Sequence, residues 1–326
     1  MSLGNFNIRA AITVGVLALA PLLAAAQSTY PNRSIRMVVP FAAGGGVDIA
    51  GRILADGLGP ALGAIVVVDN RGGAGTVLGT EIVAKAAPDG YTTLVGSNSL
   101  TVTRVLYKKL PYDVLRDLSP VSLIAEQPNL LLVHPSAPAK TLKEFIAYVQ
   151  ANPGKLTYAT PGHGTGTHLS TQLLVTAIKG DMIHVPYKGA GHSLIALLGN
   201  EVTMYISTFA SALPHVKAGR LRALGITTLK RTSLLPDVPT TDEAGIPGYE
   251  FTSWYGLLVT GGTPRAIVDR LNKETVAQLN TATMQQRLEA QGLTPIPSTP
   301  AEFMAKLKSE MEKSVTAARA AKIEPQ

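Results

Sequence analysis

The sequence contains no cysteine in its 326 residues. This absence excludes disulfide frameworks, thiolate nucleophiles, cysteine-ligated zinc, iron–sulfur clusters and anchoring through an acylated cysteine. Aromatic residues are also few, at 5%, and charged residues make up 16%. With 46% hydrophobic residues the composition is that of a globular chain. Because single cores stop growing at about 250 to 300 residues, the length favours two lobes.

Charge of one sign is not concentrated anywhere along the chain. The 29 Lys and Arg residues exceed the 22 Asp and Glu residues and give a net charge of +7, but no block of Lys or Arg occurs. A mildly basic protein attracts anions through its overall field, whereas nucleic-acid binding requires a basic patch. We therefore expect no nucleic-acid partner.

One long apolar run is present, close to the first residue. Residues 10–23 are almost entirely apolar, follow Arg9, and are followed by Ala24 and Ala26, the small residues of a cleavage site before Gln27. This pattern predicts a signal peptide over residues 1–26 and an exported, periplasmic mature protein. An uncleaved membrane anchor is the alternative, although the run is short for a span and Pro21 interrupts it.

Strand-like apolar runs alternate with helical segments after this signal. Residues 35–41 are followed by a glycine loop and a helical stretch at 47–58, and the same order of strand, loop and helix recurs over 65–87. Later strands are predicted at 91–96, 130–133, 156–159, 183–185, 202–206, 221–226 and 254–259, and two amphipathic helices begin at Pro264 and Thr299. This alternation predicts an α/β fold with a parallel sheet.

Three glycine-rich loops follow predicted strands, at residues 43–48, 71–75 and 161–167. None matches the dinucleotide-binding fingerprint or ends in the Gly-Lys-Ser/Thr of a P-loop, so we expect no nucleotide cofactor. Each loop places backbone amides at the start of a helix, a geometry that suits a carboxylate. The alternative for each loop is a tight turn that needs glycine only for its backbone angles.

Catalytic motifs are missing. No HExxH or GxSxG occurs, and no two histidines have the helical spacing that would place both on one metal ion. His163 and His168 could donate to a bound anion. Together with the hydroxyls of Thr165 and Thr167 they could also supply the base and the nucleophile of a catalytic site, but no third residue that would orient them is evident. We therefore expect a binding protein with no cofactor, no metal and no enzymatic activity. An exported enzyme on the same scaffold, or a ligand-sensing subunit of a signalling system, is the alternative.

Short motifs in a fixed order run through the mature chain: VPFAAGG at 39–45, PDGYT at 88–92, HL at 168–169, HVPYKG at 184–189 and LPDVPT at 235–240. The chain resembles the Bug family, the solute receptors of tripartite tricarboxylate transport systems. The resemblance implies a type II periplasmic-binding-protein (Venus flytrap) fold with a cleft between two lobes. Lobe 1 would comprise residues 27–127 and 250–326, and lobe 2 residues 128–249.

The resemblance also implies the ligand, the partner and the site. A small organic carboxylate would be held largely by main-chain amides, and a monomeric receptor would deliver it to the membrane permease subunits of a tripartite tricarboxylate-type transporter. Thr203 and Ser207 stand where the family usually carries Asp, which favours plain mono- or dicarboxylates, including aromatic ones, over amino acids. The implied ligand-binding residues are Phe41, Ala43, Gly44, Gly45, Asp48, Ser97, Asn98, Thr160, Gly162, His163, Gly164, Thr165, Gly166, Thr167, His168, Tyr187, Lys188, Gly189, Ala190, Ser207 and Thr208.

Overall fold

The structure is a computed structural model that describes residues 30–321, 323 and 325. The predicted signal peptide therefore lies outside the described residues. The chain from Arg33 onward forms one compact unit. Over the described part of the chain, no helix combines the length and the apolar character needed to span a bilayer.

Strands and helices alternate through most of this unit. The strands are β1 (Ile35–Val39), β2 (Val66–Asn70), β3 (Thr92–Ser97), β4 (Leu118–Val133), β5 (Leu156–Thr160), β6 (Met182–Pro186), β7 (Met204–Thr208), β8 (Arg222–Ile226), β9 (Thr252–Thr260) and β10 (Thr294–Pro295). The helices are α1 (Gly46–Leu62), α2 (Val77–Ala84), α3 (Ser99–Leu106), α4 (Leu142–Ala151), α5 (Gly166–Ala177), α6 (Ala190–Leu198), α7 (Phe209–Lys217), α8 (Arg265–Leu279), α9 (Ala282–Glu289) and α10 (Pro300–Ala320).

The strands form a mixed sheet with the order β2-β1-β3-β9-β4-β7-β5-β6. At one end β1 pairs in parallel with β2 and β3, and at the other end β5 pairs in parallel with β6 and β7. The central strands β4 and β9 are antiparallel to each other. We call the part built on β1, β2, β3 and β9 lobe 1, and the part built on β5 to β8 lobe 2.

Strand β4 belongs to both lobes. Its residues up to Pro128 pair with β9, and its residues from Asn129 pair with β7 and β8. At this change of partner the buried Asn129 receives a hydrogen bond at its side chain from Ser253 (3.0 Å), while its backbone N–H donates to Thr227 Oγ1 (2.9 Å). The two-lobed α/β fold is thus confirmed, while the lobe boundaries at 127/128 and 249/250 stay predictions.

The core explains the short apolar run at the end of β4. Alternate strand residues face opposite sides of a sheet. Leu130 and Leu132 accordingly pack in one buried cluster with Tyr205 and Phe209, whereas Leu131 and Val133 pack in a second cluster on the other side. Helices cover both faces of this strand, which is why it reads as continuously hydrophobic.

Most predicted elements are confirmed, and the differences have local causes. Strand β4 begins at Leu118, well before the predicted start at residue 130. Its first part contains Ser, Pro, Glu and Gln between the apolar residues, so it does not stand out in the sequence as an apolar run. Helix α3 has the sequence SLTVTRVL, which is rich in β-branched residues of modest helix propensity, and was not predicted. Its six buried residues show that tertiary packing, more than local preference, fixes this helix.

Candidate ligand-binding site

Five helices begin at the cleft between the lobes. Their N-cap residues are Gly45 for α1, Asn98 for α3, Thr165 for α5, Gly189 for α6 and Thr208 for α7. Each helix follows the end of a strand or the loop after it, so the fold brings these starts together. The N-terminus of a helix carries about half a positive elementary charge and unpaired N–H groups. The cleft is therefore a place where partial positive charges converge.

A narrow cavity lies between these helix starts. Its volume is about 30 Å³, well below the roughly 300 to 1,000 Å³ of usual small-molecule sites, so in this arrangement it is too small for such a ligand. The lining residues come from both lobes and from the crossing strand β9: Phe41, Gly45, Gly46, Val47, Ser97, Asn98, Ser99, Pro161, Thr165, Gly166, Thr167, Ala190, Thr208, Ser253 and Tyr255.

No residue lining this cavity carries a charge at neutral pH. Burial raises the pKa of Tyr255, which keeps its phenol protonated. The polar groups at the cavity wall are hydroxyls, one side-chain amide and backbone groups, all of them neutral. An anion that enters this cavity is met by dipoles and not by a side-chain ion.

Several backbone N–H groups of the lining residues are unused. Within the described residues, the amides of Gly46 and Val47 in lobe 1 and of Thr167 and Ala190 in lobe 2 donate no hydrogen bond. Buried N–H groups are rarely left without a partner. Free donors on both lobes suit a ligand with an acidic group at each end.

Close backbone contacts hold the closed arrangement at the mouth of the cleft. Ser99 Oγ accepts a hydrogen bond from the N–H of Gly166 (3.2 Å) across the lobes. A Cβ atom at Gly75, whose φ is +60°, would overlap the carbonyl oxygen of His163, and one at Gly189 would lie 3.0 Å from the amide nitrogen of Ala42. Glycine at these two positions therefore lets the loops of the lobes meet.

Asp48 lies beside the cavity and does not line it. Its carboxylate accepts hydrogen bonds from Gly44 N (3.0 Å), Arg52 Nε (3.1 Å) and Asn70 Nδ2 (2.9 Å). Burial alone would raise the pKa of Asp48, but these hydrogen bonds outweigh it and the pKa is lowered. Asn70 also donates to the carbonyl of Phe41 (3.1 Å). Asp48 thus braces the glycine loop whose last residues reach the cavity.

Three histidines of lobe 2 form a cluster behind the cavity wall. His168 and His184 stack at 4.2 Å between ring centroids, and His163 lies 4.8 Å from His168. One ligand nitrogen from each lies within 4.8 Å of the others. Burial, followed by the neighbouring histidines, lowers the pKa of His168 to about 3 and that of His184 to about 4. All three rings are neutral at pH 7, since burial also lowers the pKa of His163.

The geometry of this histidine cluster does not suit a metal-binding site. Tetrahedral zinc with Zn–N distances of about 2.0 to 2.1 Å requires nitrogens closer together than those of this cluster. The nearly parallel rings of His168 and His184, 15° apart, also cannot direct two lone pairs at one ion. Nε2 of His184 bonds to Thr160 Oγ1 (2.7 Å), and Nδ1 of His168 receives the N–H of Gly164 (3.4 Å).

The structure brings part of the predicted site to the cavity and the rest to its surroundings. Predicted residues that line the cavity are Phe41, Gly45, Ser97, Asn98, Thr165, Gly166, Thr167, Ala190 and Thr208. Predicted residues that do not line it are Ala43, Gly44, Asp48, Thr160, Gly162, His163, Gly164, His168, Tyr187, Lys188, Gly189 and Ser207. The second group lies in or beside the same loops, at the mouth or behind the wall. Whether each residue binds ligand stays a prediction.

Six lining residues were not predicted: Gly46, Val47, Ser99, Pro161, Ser253 and Tyr255. Gly46, Val47, Ser99 and Pro161 are immediate chain neighbours of predicted residues and follow from the helix starts. Ser253 and Tyr255 belong to β9, which lies far along the sequence from the other lining residues but borders the cleft in the fold. Their alternation along the strand places both side chains on one face, but no local signal in the sequence shows that this face reaches the cleft.

Comparisons with known proteins give the family. A family model described as "Tripartite tricarboxylate transporter family receptor" matches residues 50–323. The chain belongs to this family. The periplasmic binding protein BugD has a solved structure with 35% sequence identity and a TM-score of 0.88, covering 91% of this chain and 100% of that one. The family is one of binding receptors, and this chain is accordingly a solute receptor and not an enzyme.

Two further solved structures of this fold contain a dicarboxylate. An R. palustris protein with adipate is 34% identical, with a TM-score of 0.88 over 91% of this chain and 100% of that chain. MatC from Rhodopseudomonas palustris with bound malate is 34% identical, with a TM-score of 0.84 over 88% of this chain and 99% of that chain. The resemblance to the Bug receptors is thus confirmed over nearly all of the described residues.

Proposed function

We propose that this protein is a periplasmic receptor that captures a small dicarboxylate in the cleft and delivers it to a tripartite tricarboxylate-type membrane transporter. The observation that carries the proposal is the convergence of five helix N-termini on an uncharged cavity. Adipate and malate in two similar structures support the ligand class.

In this proposal each carboxylate of the ligand accepts hydrogen bonds from free backbone amides of one lobe. One carboxylate accepts the free amides of Gly46 and Val47 in lobe 1, and the other accepts those of Thr167 and Ala190 in lobe 2. Hydrogen bonds to a charged group contribute about 1.5 to 3 kcal/mol each, so a few of them hold the acid without a cationic side chain. The ligand bridges the lobes and therefore favours the closed state.

Capture requires the lobes to separate and close again. A volume of about 30 Å³ is too small for a dicarboxylate, so in this proposal the lobes separate near Asn129, where β4 changes its partner strand, before the ligand enters. Closure removes water from the cleft and strengthens the interaction between the carboxylates and the helix ends.

Thermal unfolding against a panel of acids tests the proposal. Succinate, malate, adipate and propionate are compared at equal concentrations. A bound dicarboxylate at 100 times its dissociation constant adds about 2.7 kcal/mol of stability, whereas propionate has only one acidic end and stabilises less. No stabilisation by any of the four acids would contradict the proposal. Uptake of the labelled acid by cells with and without the receptor then tests delivery to a transporter.

A further inference from the structure

A second cavity lies on the other side of Asn98, near the hinge. We call it the posterior cavity, and define it by Asn98, Glu126, Phe251, Trp254, Lys306 and Ser314 among its lining residues. Its volume is about 410 Å³, within the range of small-molecule sites. Lobe 1, lobe 2, the chain that crosses between them and helix α10 all contribute to its wall. It shares only Asn98 with the cleft cavity.

A buried donor at this cavity has no acceptor. Trp254 is 2% exposed, and its Nε1–H makes no hydrogen bond within the described residues. The indole nitrogen can only donate. A buried donor without a partner is costly, and it gives the indole of this lining residue an unused hydrogen-bonding group.

Charged side chains at the wall are also left without partners. Glu310 pairs with Lys313 (3.2 Å), but Glu126, Glu250 and Lys306 form no ion pair in the described part of the chain. Glu126 and Lys306 are half-buried, and Glu250 is exposed. The cavity therefore offers both free carboxylates and a free ammonium group.

The remaining wall is apolar. Val102, Leu169 and Leu173 come from α3 and α5, and the ring of Phe251 adds an aromatic surface. Apolar walls with a few polar groups of fixed position are typical of small-molecule sites. The arrangement differs from the cleft cavity, whose wall has no charged group.

We propose that the posterior cavity is a second ligand site, for a small zwitterion with an apolar side chain. The ligand amine pairs with the unpaired glutamates, its carboxylate accepts from Lys306, and its side chain packs on the apolar wall. This inference does not rest on the proposed function of the cleft, because no charged residue of this site lines that cavity.

The chain carries its own probe for this site. Trp254 is its single tryptophan, so tryptophan fluorescence reports on the posterior cavity. The purified protein is titrated with leucine, with 4-methylpentanoate, which lacks the amine, and with 3-methylbutylamine, which lacks the carboxylate. We expect a saturable change with leucine and a dissociation constant about tenfold higher for each of the other two compounds, because each loses one charged contact.

Matched variants locate the response. Glu126→Gln and Lys306→Met each raise the dissociation constant for leucine about tenfold. Lys308→Met, an exposed change on the same helix, leaves it unchanged. Thr208→Asp alters the cleft alone and also leaves the leucine response intact.

Several results would overturn the inference. They are the lack of a saturable response to leucine, an equal response to all three compounds, an unchanged leucine affinity in both Glu126→Gln and Lys306→Met, or a loss of the response in Thr208→Asp. The last result would place leucine in the cleft. Binding of dicarboxylates, followed by thermal unfolding, is a separate readout and reports only on the proposed function.

Discussion

Two neighbouring regions of this protein deal with negative charge in different ways. At the end of β1 and β2, the fixed carboxylates of Asp48 and Asp69 are matched by arginines: Arg52 lies 3.0 Å from Asp48, and Arg36 lies 2.6 Å from Asp69. The cleft a few residues away has no charged side chain at all. The protein's own carboxylates pair with arginine side chains, whereas the carboxylates of the proposed ligand would bind at helix N-termini.

This difference has a physical reason. An arginine in a closed, dry cleft would need a partner when the ligand leaves, because an unpaired buried ion is costly. Backbone amides at helix ends are fixed in place and return to water at much lower cost when the lobes separate. A receptor that must release its ligand therefore benefits from partial charges. The predictions below test this comparison, from the largest expected effect to the smallest.

Lowering the pH tests whether the buried histidines behind the cleft are neutral in the folded protein. The pKa of His168 is about 3 and that of His184 about 4 in the folded protein, against about 6.5 when unfolded. The unfolded chain thus binds protons that the folded one does not, and stability falls as pH drops from about 6.5 towards 4. We expect a loss of about 5 kcal/mol between pH 7 and pH 4.5, measured by chemical denaturation.

A pair of variants identifies the histidines in this pH dependence. His168→Gln reduces the slope of stability against pH, whereas the same change at the exposed His192 leaves it as it is. A stability that stays constant between pH 7 and 5 would contradict the buried, neutral state of the cluster.

A carboxylate placed in the cleft should abolish capture. Thr208 lines the cavity as the N-cap of α7, and Asp is equally acceptable as an N-cap residue. A like charge at about 5 Å costs about 3 kcal/mol at an effective dielectric constant of 20, so Thr208→Asp weakens dicarboxylate binding by about 100-fold or more. Calorimetric titration measures the effect.

Thr208→Asn is the neutral control for this variant. Asn has nearly the same shape as Asp but no charge, so Thr208→Asn should keep binding close to that of the parent protein. Equal losses in the two variants would show that shape, and not charge, decides binding at this position.

Removal of a fixed charge should act on stability more than on binding. Asp48→Asn weakens the hydrogen bonds from Gly44, Arg52 and Asn70, and we expect a loss of about 2 kcal/mol in the free energy of unfolding. The control is Glu243→Gln, which breaks the exposed pair with Arg231 and should cost clearly less stability than Asp48→Asn. Similar losses in both variants would show that Asp48 is not a structural brace.

Succinate and aspartate differ by one ammonium group and provide the finest test. No lining residue of the cleft offers a carboxylate to that group, so its burial is poorly compensated. We expect aspartate to bind about tenfold more weakly than succinate, as measured by displacement titration. Equal affinity, or a preference for aspartate, would show that an acceptor for the amine exists in the cleft.

The sequence was informative about the fold and about the loops of the site. Strands ending in glycine loops predict where backbone amides start helices, and nine of the predicted residues, Phe41, Gly45, Ser97, Asn98, Thr165, Gly166, Thr167, Ala190 and Thr208, line the cavity. The individual residues were named from the resemblance to the Bug family; the glycine loops alone indicate helix starts and do not identify Ser97, Asn98 or Thr208.

Long-range placement could not be predicted in the same way. Tyr255 and Ser253 reach the cavity because β9 inserts between β3 and β4, a pairing without a local signature. Asp48 was predicted as a ligand-binding residue, but its carboxylate accepts hydrogen bonds from Arg52, one turn later in α1, and from Asn70 at the end of β2. The clustering of His184 with His168 depends on the pairing of β6 with β5 in the same way.

A crystal structure of the protein with bound malate tests the central claim most directly, by the identity of the atoms nearest each carboxylate oxygen. The account predicts backbone nitrogens at helix starts, those of Gly46 and Val47 on one lobe and Thr167 and Ala190 on the other, at hydrogen-bond distances of about 2.7 to 3.2 Å. Carboxylate oxygens paired instead with a cationic side chain such as Lys188 would contradict it.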